Sequence, residues 1–174
     1  MAQISKAVRR AVFLRLSDAA TGFNAALAGV AASYGVTPFV IDWTVNSKQF
    51  FAAQLHPDEI DESTPSKYPM VMLYALSSDN RNIQKFAEFA GFVSIGLDIH
   101  LSWRPAKAVP NFEDLADAVE DAVYATLNGQ NFQDWGASVV YNGDVSVQRR
   151  PLEMSAENWR QTLSFRLVFE VVTN

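Results

Sequence analysis

Cysteine is missing from this sequence of 174 residues. Disulfide bonds, thiolate metal sites and cysteine nucleophiles are therefore excluded. Structural disulfides mark oxidising compartments, so their absence favours folding in the cytoplasm, or in a particle that is assembled there.

Long hydrophobic runs are also absent. No apolar stretch approaches the roughly 18 residues that a membrane-spanning helix needs, so we predict neither a membrane span nor a membrane partner. Near the start of the sequence, Lys6, Arg9, Arg10 and Arg15 interrupt the apolar residues. This pattern does not resemble a secretion signal.

Basic residues are fewer than acidic ones. Fourteen Lys and Arg stand against nineteen Asp and Glu, which gives a net charge of -5 at pH 7. A surface that binds nucleic acid needs clustered cations to neutralise phosphates, so this balance argues against such a surface. Because 49% of the residues are hydrophobic, the chain can bury a core, and we predict one domain over residues 1–174.

Helical periodicity appears in three segments. Apolar residues recur every three or four positions between Ser17 and Tyr34, and Gly35 follows as a terminator. The same spacing extends from Asn111 to Asn128. The segment from Ile4 to Val12 indicates a further helical turn or two.

Alternating or continuous apolar residues predict strands over four segments, namely Pro38 to Val45, Tyr68 to Leu76, Gly91 to Arg104 and Trp159 to Val171. The dipeptide Asn142-Gly143 tolerates positive φ angles, which predicts a tight hairpin turn between two short strands, Val139–Tyr141 and Val145–Val147. The spacing of Ile83, Phe86 and Phe89 fits either a short helix or a strand extension.

The order of these elements indicates the fold class. Helix, strands, helix and strands follow one another without closely repeated β-α-β units. We therefore predict an α+β fold, a mainly antiparallel β-sheet with two or more helices packed on one face. The opposite face must meet water or another subunit, and the Trp, Tyr and Val positions on the polar faces favour a subunit.

Asp98 and His100 form a candidate metal-binding pair. They are two positions apart in the predicted strand Gly91–Arg104, so they share its polar face. Zinc and iron accept both ligand types. His56 is the only other histidine and no motif supplies more ligands. We therefore favour a solvated or subunit-interface pair and predict no metal or cofactor.

A group of carboxylates lies within the predicted helix Asn111–Asn128. Two carboxylates can act as acid and base in glycoside cleavage, but the spacing here places the group mainly on the solvent side of the helix. A hydrated helix face is therefore favoured over an active site. The group comprises Glu113, Asp114, Asp117, Glu120 and Asp121. Phosphate-binding and Gly-x-Ser-x-Gly motifs are absent as well, so we predict that the protein is not an enzyme.

Acidic and basic side chains cluster in separate segments. The predicted loop from His56 to Pro69 carries four carboxylates, whereas basic pairs occur at Arg9–Arg10 and Arg149–Arg150. Complementary patches of this kind can join identical subunits head to side in a ring. The predicted interface residues are Asp58, Glu59, Asp61, Glu62, Lys67, Asp98, His100, Arg149 and Arg150.

Three stretches of sequence together resemble a known family. They read Lys67-Tyr68-Pro69-Met70-Val71, then Leu97-Asp98-Ile99-His100-Leu101-Ser102-Trp103, then Phe112-Glu113-Asp114-Leu115-Ala116-Asp117-Ala118-Val119. In pattern and order, most of the chain between Ser17 and Val172 resembles the tail-terminator and tail-completion, or head-tail joining, proteins of tailed bacteriophages.

The resemblance implies a structural virion protein, assembled in the host cytoplasm, that forms a ring expected to be hexameric. Such a ring caps the tail tube, ends tube growth and faces the head-tail connector. The implied partners are further copies of the chain, the tail tube protein and a connector or neck protein. DNA is implied only as cargo that passes through the lumen, where fixed negative charge opposes binding of phosphates.

Two other hypotheses remain open. A monomeric ligand- or protein-binding module would carry a deep apolar pocket. An enzyme of unfamiliar type would require Asp98, His100 and another polar side chain to converge in a cleft. The lack of site motifs and the family resemblance favour the ring-forming protein.

Overall fold

The computed structural model describes residues 2–44, 47–55, 68–82, 89–103, 112–128, 135, 139–151, 153–154 and 159–173. The predictions for His56 to Lys67 and for Ile83 and Phe86 concern residues outside these ranges. The five predicted interface residues Asp58, Glu59, Asp61, Glu62 and Lys67 are among them. No helix within the described ranges combines the length and the apolar character that crossing a bilayer requires.

Within the described ranges, six strands form one sheet, with bounds β1 Phe50–Phe51, β2 Met70–Asn82, β3 Phe89–Trp103, β4 Val139–Arg149, β5 Glu153–Met154 and β6 Trp159–Thr173. Their spatial order is β1-β2-β3-β6-β4, and β5 pairs with β6. Only β1 and β2 are parallel, whereas the other pairs are antiparallel. The predicted α+β class is confirmed.

The described part of the chain also contains three helices, α1 Ala2–Leu16, α2 Phe23–Ala31 and α3 Phe112–Asn128. The structure confirms α3 within one residue of the predicted bounds. In contrast, α1 is longer than the turn or two expected from Ile4 to Val12. The predicted helix from Ser17 is shorter, because the Asp18 carboxylate accepts hydrogen bonds from the backbone N–H groups of Ala20 and Thr21 and holds a turn there.

The core lies between the helices and one face of the sheet. Alternate residues of β3 and β6 point into it, as the period of two in a strand requires, and α3 contributes its apolar stripe. The buried apolar residues from these three elements are Val93, Ile95, Leu97, Ile99, Leu101, Leu163, Phe165, Leu167, Phe169, Val171, Phe112, Leu115, Ala116, Ala118, Val119, Ala122, Val123 and Leu127. The predicted alternation of β3 and β6 is thereby confirmed.

The predicted hairpin at Asn142-Gly143 is wrong. Both flanking segments belong to the single strand β4, which pairs along its length with β6. Tyr141 lies opposite Phe169 and Val145 lies opposite Leu167, so extra residues are accommodated in the ladder as a bulge. A bulge can absorb turn-forming residues without reversing the chain, because the partner strand continues past it.

The predicted strand Pro38–Val45 is also wrong over its described residues. Phe39, Ile41 and Trp43 are more buried than their neighbours, as predicted, but no strand of the sheet pairs with residues 38–44. Instead, the side-chain amide of Asn24 donates to the carbonyl of Ile41 and accepts from its N–H, both at 2.9 Å. The Asn24 side chain thus satisfies the two backbone groups of Ile41 that a neighbouring strand would otherwise pair with.

Replacing Asn24 tests this substitute pairing. We expect Asn24→Ala to lower the free energy of unfolding by about 1–3 kcal/mol, because both polar groups of the Ile41 backbone lose their partner. Thr37→Ala removes an exposed side chain from the same segment and is the control. Urea denaturation measures both. Equal, small effects would show that Asn24 does not hold the segment.

Candidate functional site

A polar cluster occupies the sheet face that lies away from the helices. Asp98 and His100 project from β3 onto this face, where they are only 3% and 5% exposed. Along the sheet, Asp98 lies between Met72 and Ser164, and His100 lies opposite Thr162. The prediction that this pair is solvated is therefore wrong, because both side chains are buried within the chain. A role at a subunit interface stays a prediction.

Tyr74 is the principal partner of Asp98. Its hydroxyl donates to Oδ2 of Asp98 at 3.0 Å, and the Gln54 side chain lies 3.5 Å from the same hydroxyl. The Tyr74 ring crosses Gly96, where an added Cβ would lie 2.6 Å from ring carbons. Glycine is required here because the aromatic ring occupies the space of a side chain.

The second carboxylate oxygen of Asp98 retains acceptor capacity. Oδ1 is buried, and so is the hydroxyl oxygen of Ser164 on the adjacent strand. Neither atom has a hydrogen-bond partner among the residues that the structure describes. A buried carboxylate oxygen without a donor is unfavourable.

The cluster has only part of a metal-ligand set. His100 Nδ1 lies 2.8 Å from the hydroxyl oxygen of Thr162, and this contact orients the ring. Structural zinc sites use four protein ligands and catalytic sites use three. Within the described ranges, no group of three or more His, Asp or Glu side chains is close enough to hold a metal ion.

Arg149 forms a second polar cluster, together with α3. Its Nε donates to Glu120 at 3.1 Å, and its terminal nitrogens contact Glu120, Asp117 and Glu113. These hydrogen bonds and charges raise the pKa of Arg149 against the lowering effect of its burial. Part of the α3 face that was predicted to be hydrated therefore contacts Arg149 of the same chain.

The two basic residues at the end of β4 differ in their environment. Arg149 is 29% exposed and has its carboxylate partners within the chain, so an acidic neighbour would have to compete with α3. Arg150 is exposed, and its backbone N–H donates to the carbonyl of Thr162. The interface prediction for both residues stays untested, but Arg150 is the more available of the two.

Sequence reasoning missed Tyr74 and Thr162 as members of the polar face. Tyr74 follows Met70 and Met72 at alternate positions of β2. This alternation could have predicted that Tyr74 shares their face of the strand. The contact with Asp98 additionally requires the β2–β3 register, in which Met72 lies opposite Asp98. Thr162 is brought to His100 only by the pairing of β3 with the distant β6.

Comparisons with known proteins give little beyond this geometry. No protein-family model and no curated protein matches the chain. A solved structure, the virion of a native gene transfer agent particle, contains a chain that is 17% identical over 94% of both chains, with a TM-score of 0.31. Structural similarity of this degree carries no argument about function.

Titration of Tyr74 tests the contact with Asp98. Burial and then the Asp98 charge raise the pKa of Tyr74 to about 12, compared with about 10 in an unfolded chain. The corresponding stability is complete below about pH 10 and is lost as the pH rises towards 12, because only the unfolded form releases the proton in that window. Tyr74→Phe should remove this part of the decline and the matching tyrosinate absorbance. An unchanged decline would contradict the raised pKa, and Asp98→Asn measures the part of it that the carboxylate contributes.

Replacing Arg149 tests the cluster with α3. We expect Arg149→Met to lower the free energy of unfolding by about 1 kcal/mol, because Asp117 and Glu120 lose the cation that they share at a partly exposed site. Arg150→Met is the matched control and should change stability by less than about 0.5 kcal/mol. Thermal unfolding measures both. Equal losses would show that the Arg149 contacts contribute nothing specific.

Proposed function

We propose that this chain is a structural protein of a phage-like virion. Copies of it assemble into a ring, expected to be hexameric, at the top of a tail. The ring ends growth of the tail tube and joins the tail to the head connector, and it carries out no catalysis. The sequence resemblance to tail-terminator proteins suggests this role, and the edges of the sheet support the assembly.

Two long sheet edges carry the proposal. β1 covers only Val71 and Met72 on the outer side of β2, and no described strand pairs with that side from Leu73 to Asn82. At the other end of the sheet, β4 pairs with β6 alone among the described strands. An unpaired edge presents main-chain donors and acceptors that another strand can use.

Two different edges on one molecule favour a ring over a dimer. When the β2 edge of one copy meets the β4 edge of the next, each copy still has one edge free. Such head-to-tail contacts continue until the rotation between copies closes the circle. The exposed side chain of Leu76, at the bulge in β2, supplies an apolar contact at this edge.

Charge is compatible with a channel for DNA. The net charge of -5 is repeated in every copy, so a ring multiplies it. Fixed negative charge opposes binding of phosphates, and a lumen of this sign would let DNA pass without holding it. DNA is therefore proposed as cargo and not as a ligand.

A protein-binding module is the second candidate. A groove beside α1, with a volume of about 340 Å³, has apolar residues at its base and favours this alternative. Such a module would stay monomeric and bind its partner in that state. The mass in solution therefore separates the two functions.

Changing the β2 edge tests the proposed assembly. Leu76 is 48% exposed, so Leu76→Lys should leave the monomer folded. We expect it to weaken self-association by about tenfold or more, because a charge would have to be buried in the joint. Analytical ultracentrifugation over a range of concentrations, together with electron microscopy for rings, measures the effect.

Val40→Lys is the control for this experiment. Val40 is 71% exposed and lies in the segment before β1, so the same change should leave assembly as it is. If both variants assemble like the original chain, the β2 edge is not the joint. If the chain stays monomeric at every concentration and also on isolated tail tubes, the proposed function is wrong.

A further inference from the structure

A groove between α1 and the sheet combines an apolar base with a cationic rim. Its volume is about 340 Å³. Phe13, Phe50 and Leu73 line its base, and the aromatic rings of Phe13 and Phe50 lie 5.0 Å apart. The rim comprises Lys6, Arg9 and Arg10, and Ala52 completes the lining.

The rim carries three positively charged side chains. No acidic residue occurs in α1, and none of the three cations forms an ion pair within the described part of the chain. Arg9 is held by a contact of 3.4 Å from its guanidinium to the carbonyl oxygen of Ala52. Lys6 and Arg10 are exposed, so their charges remain available to a partner.

These two properties together define the chemistry of the occupant. A phosphate backbone would satisfy the cations but would leave the partly exposed ring of Phe13 uncovered. A purely apolar segment would cover the base and leave three cations without a counterion. The groove therefore fits a peptide segment that carries several carboxylates around one apolar side chain.

The sequence of this chain contains such a segment. Asp58-Glu59-Ile60-Asp61-Glu62 places four carboxylates around a single isoleucine. We infer that this segment of one copy occupies the α1 groove of a neighbouring copy, with Ile60 on the apolar base and the carboxylates at the rim. The inference rests on the proposed function, because it requires copies that assemble.

A neighbouring copy can reach the groove from the β2 edge, which no described strand covers beyond Met72. Leu73 lines the groove, and it is also the residue at which β2 continues beyond its pairing with β1. A copy that docks on the β2 edge therefore lies beside the groove. This contact would join the acidic segment of one subunit to the basic helix of the next around the ring.

A peptide with the sequence of residues 55–63 tests the chemistry. Full-length protein should bind the fluorescent peptide in anisotropy titrations. Binding should weaken about tenfold or more with Ile60→Ala in the peptide, with its four carboxylates as amides, or with Lys6→Glu and Arg10→Glu in the protein. Arg10→Glu alone is compared with Lys48→Glu, which reverses an exposed charge outside the groove and should have no effect.

Engineered cysteines test which copy supplies the segment. Because the chain has no cysteine, a chain with Leu14→Cys, an exposed position one turn after Arg10, mixed with a Ser63→Cys chain can form only one mixed disulfide, and both changes keep the three cations, Ile60 and the four carboxylates. We expect that covalent heterodimer on mild oxidation. A chain with both substitutions that closes only on itself would show that each copy fills its own groove, and this would overturn the inference.

The remaining outcomes separate this inference from the proposed function. Rings seen by electron microscopy without peptide binding or mixed disulfides would overturn the inference and leave the function in place. Peptide binding and mixed disulfides without rings would overturn the function and leave the contact. Peptide binding without any disulfide would indicate an acidic segment of another protein, which also overturns the inference.

Discussion

The pairing of β3 with β6 is the constraint on which the other features depend. The two strands form an antiparallel ladder from Phe89↔Thr173 to Trp103↔Trp159, without a register shift. Their apolar residues share the helix face, and their polar residues share the opposite one. A slip of one residue would turn Asp98 towards the core and Leu97 away from it. The same register therefore sets the core and brings Thr162 to His100.

The central ladder also determines where the sheet can grow. Since β3 and β6 each have partners on both sides, their main-chain groups are used within the sheet. Among the described strands, the edges without a full-length partner belong to β2 and β4, which lie on opposite sides of the ladder. The two surfaces that an edge-to-edge joint would use, the β2 edge and the β4 edge, therefore lie on opposite sides of each copy. The α1 groove lies at the β2 side, so the cationic rim is placed beside one edge only.

Hydrophobic periodicity predicted the helices and strands that bury one face in the core. The alternation from Gly91 to Arg104 identified β3, and the helical stripe identified α3, because burial of one face fixes both. The dipeptide Asn142-Gly143 led to a wrong prediction of a hairpin. The same dipeptide can lie in a β-bulge when the partner strand, here β6, continues past it. The partners of Arg149 and Tyr74 depend on strand pairing between distant segments. No periodicity in a single sequence encodes that pairing, so these contacts could not be predicted.

Salt should affect the two charged regions differently, and this difference would separate folding from the proposed assembly. Arg149 is partly buried against α3, so its ion pairs are weakly screened. Lys6 and Arg10 are exposed, and at about 1 M salt the screening length falls to roughly 3 Å. Contacts at the α1 rim would then lose most of their attraction, while the fold keeps its internal pairs. Added salt should therefore release subunits that remain folded, which a joint made only by apolar packing would not do.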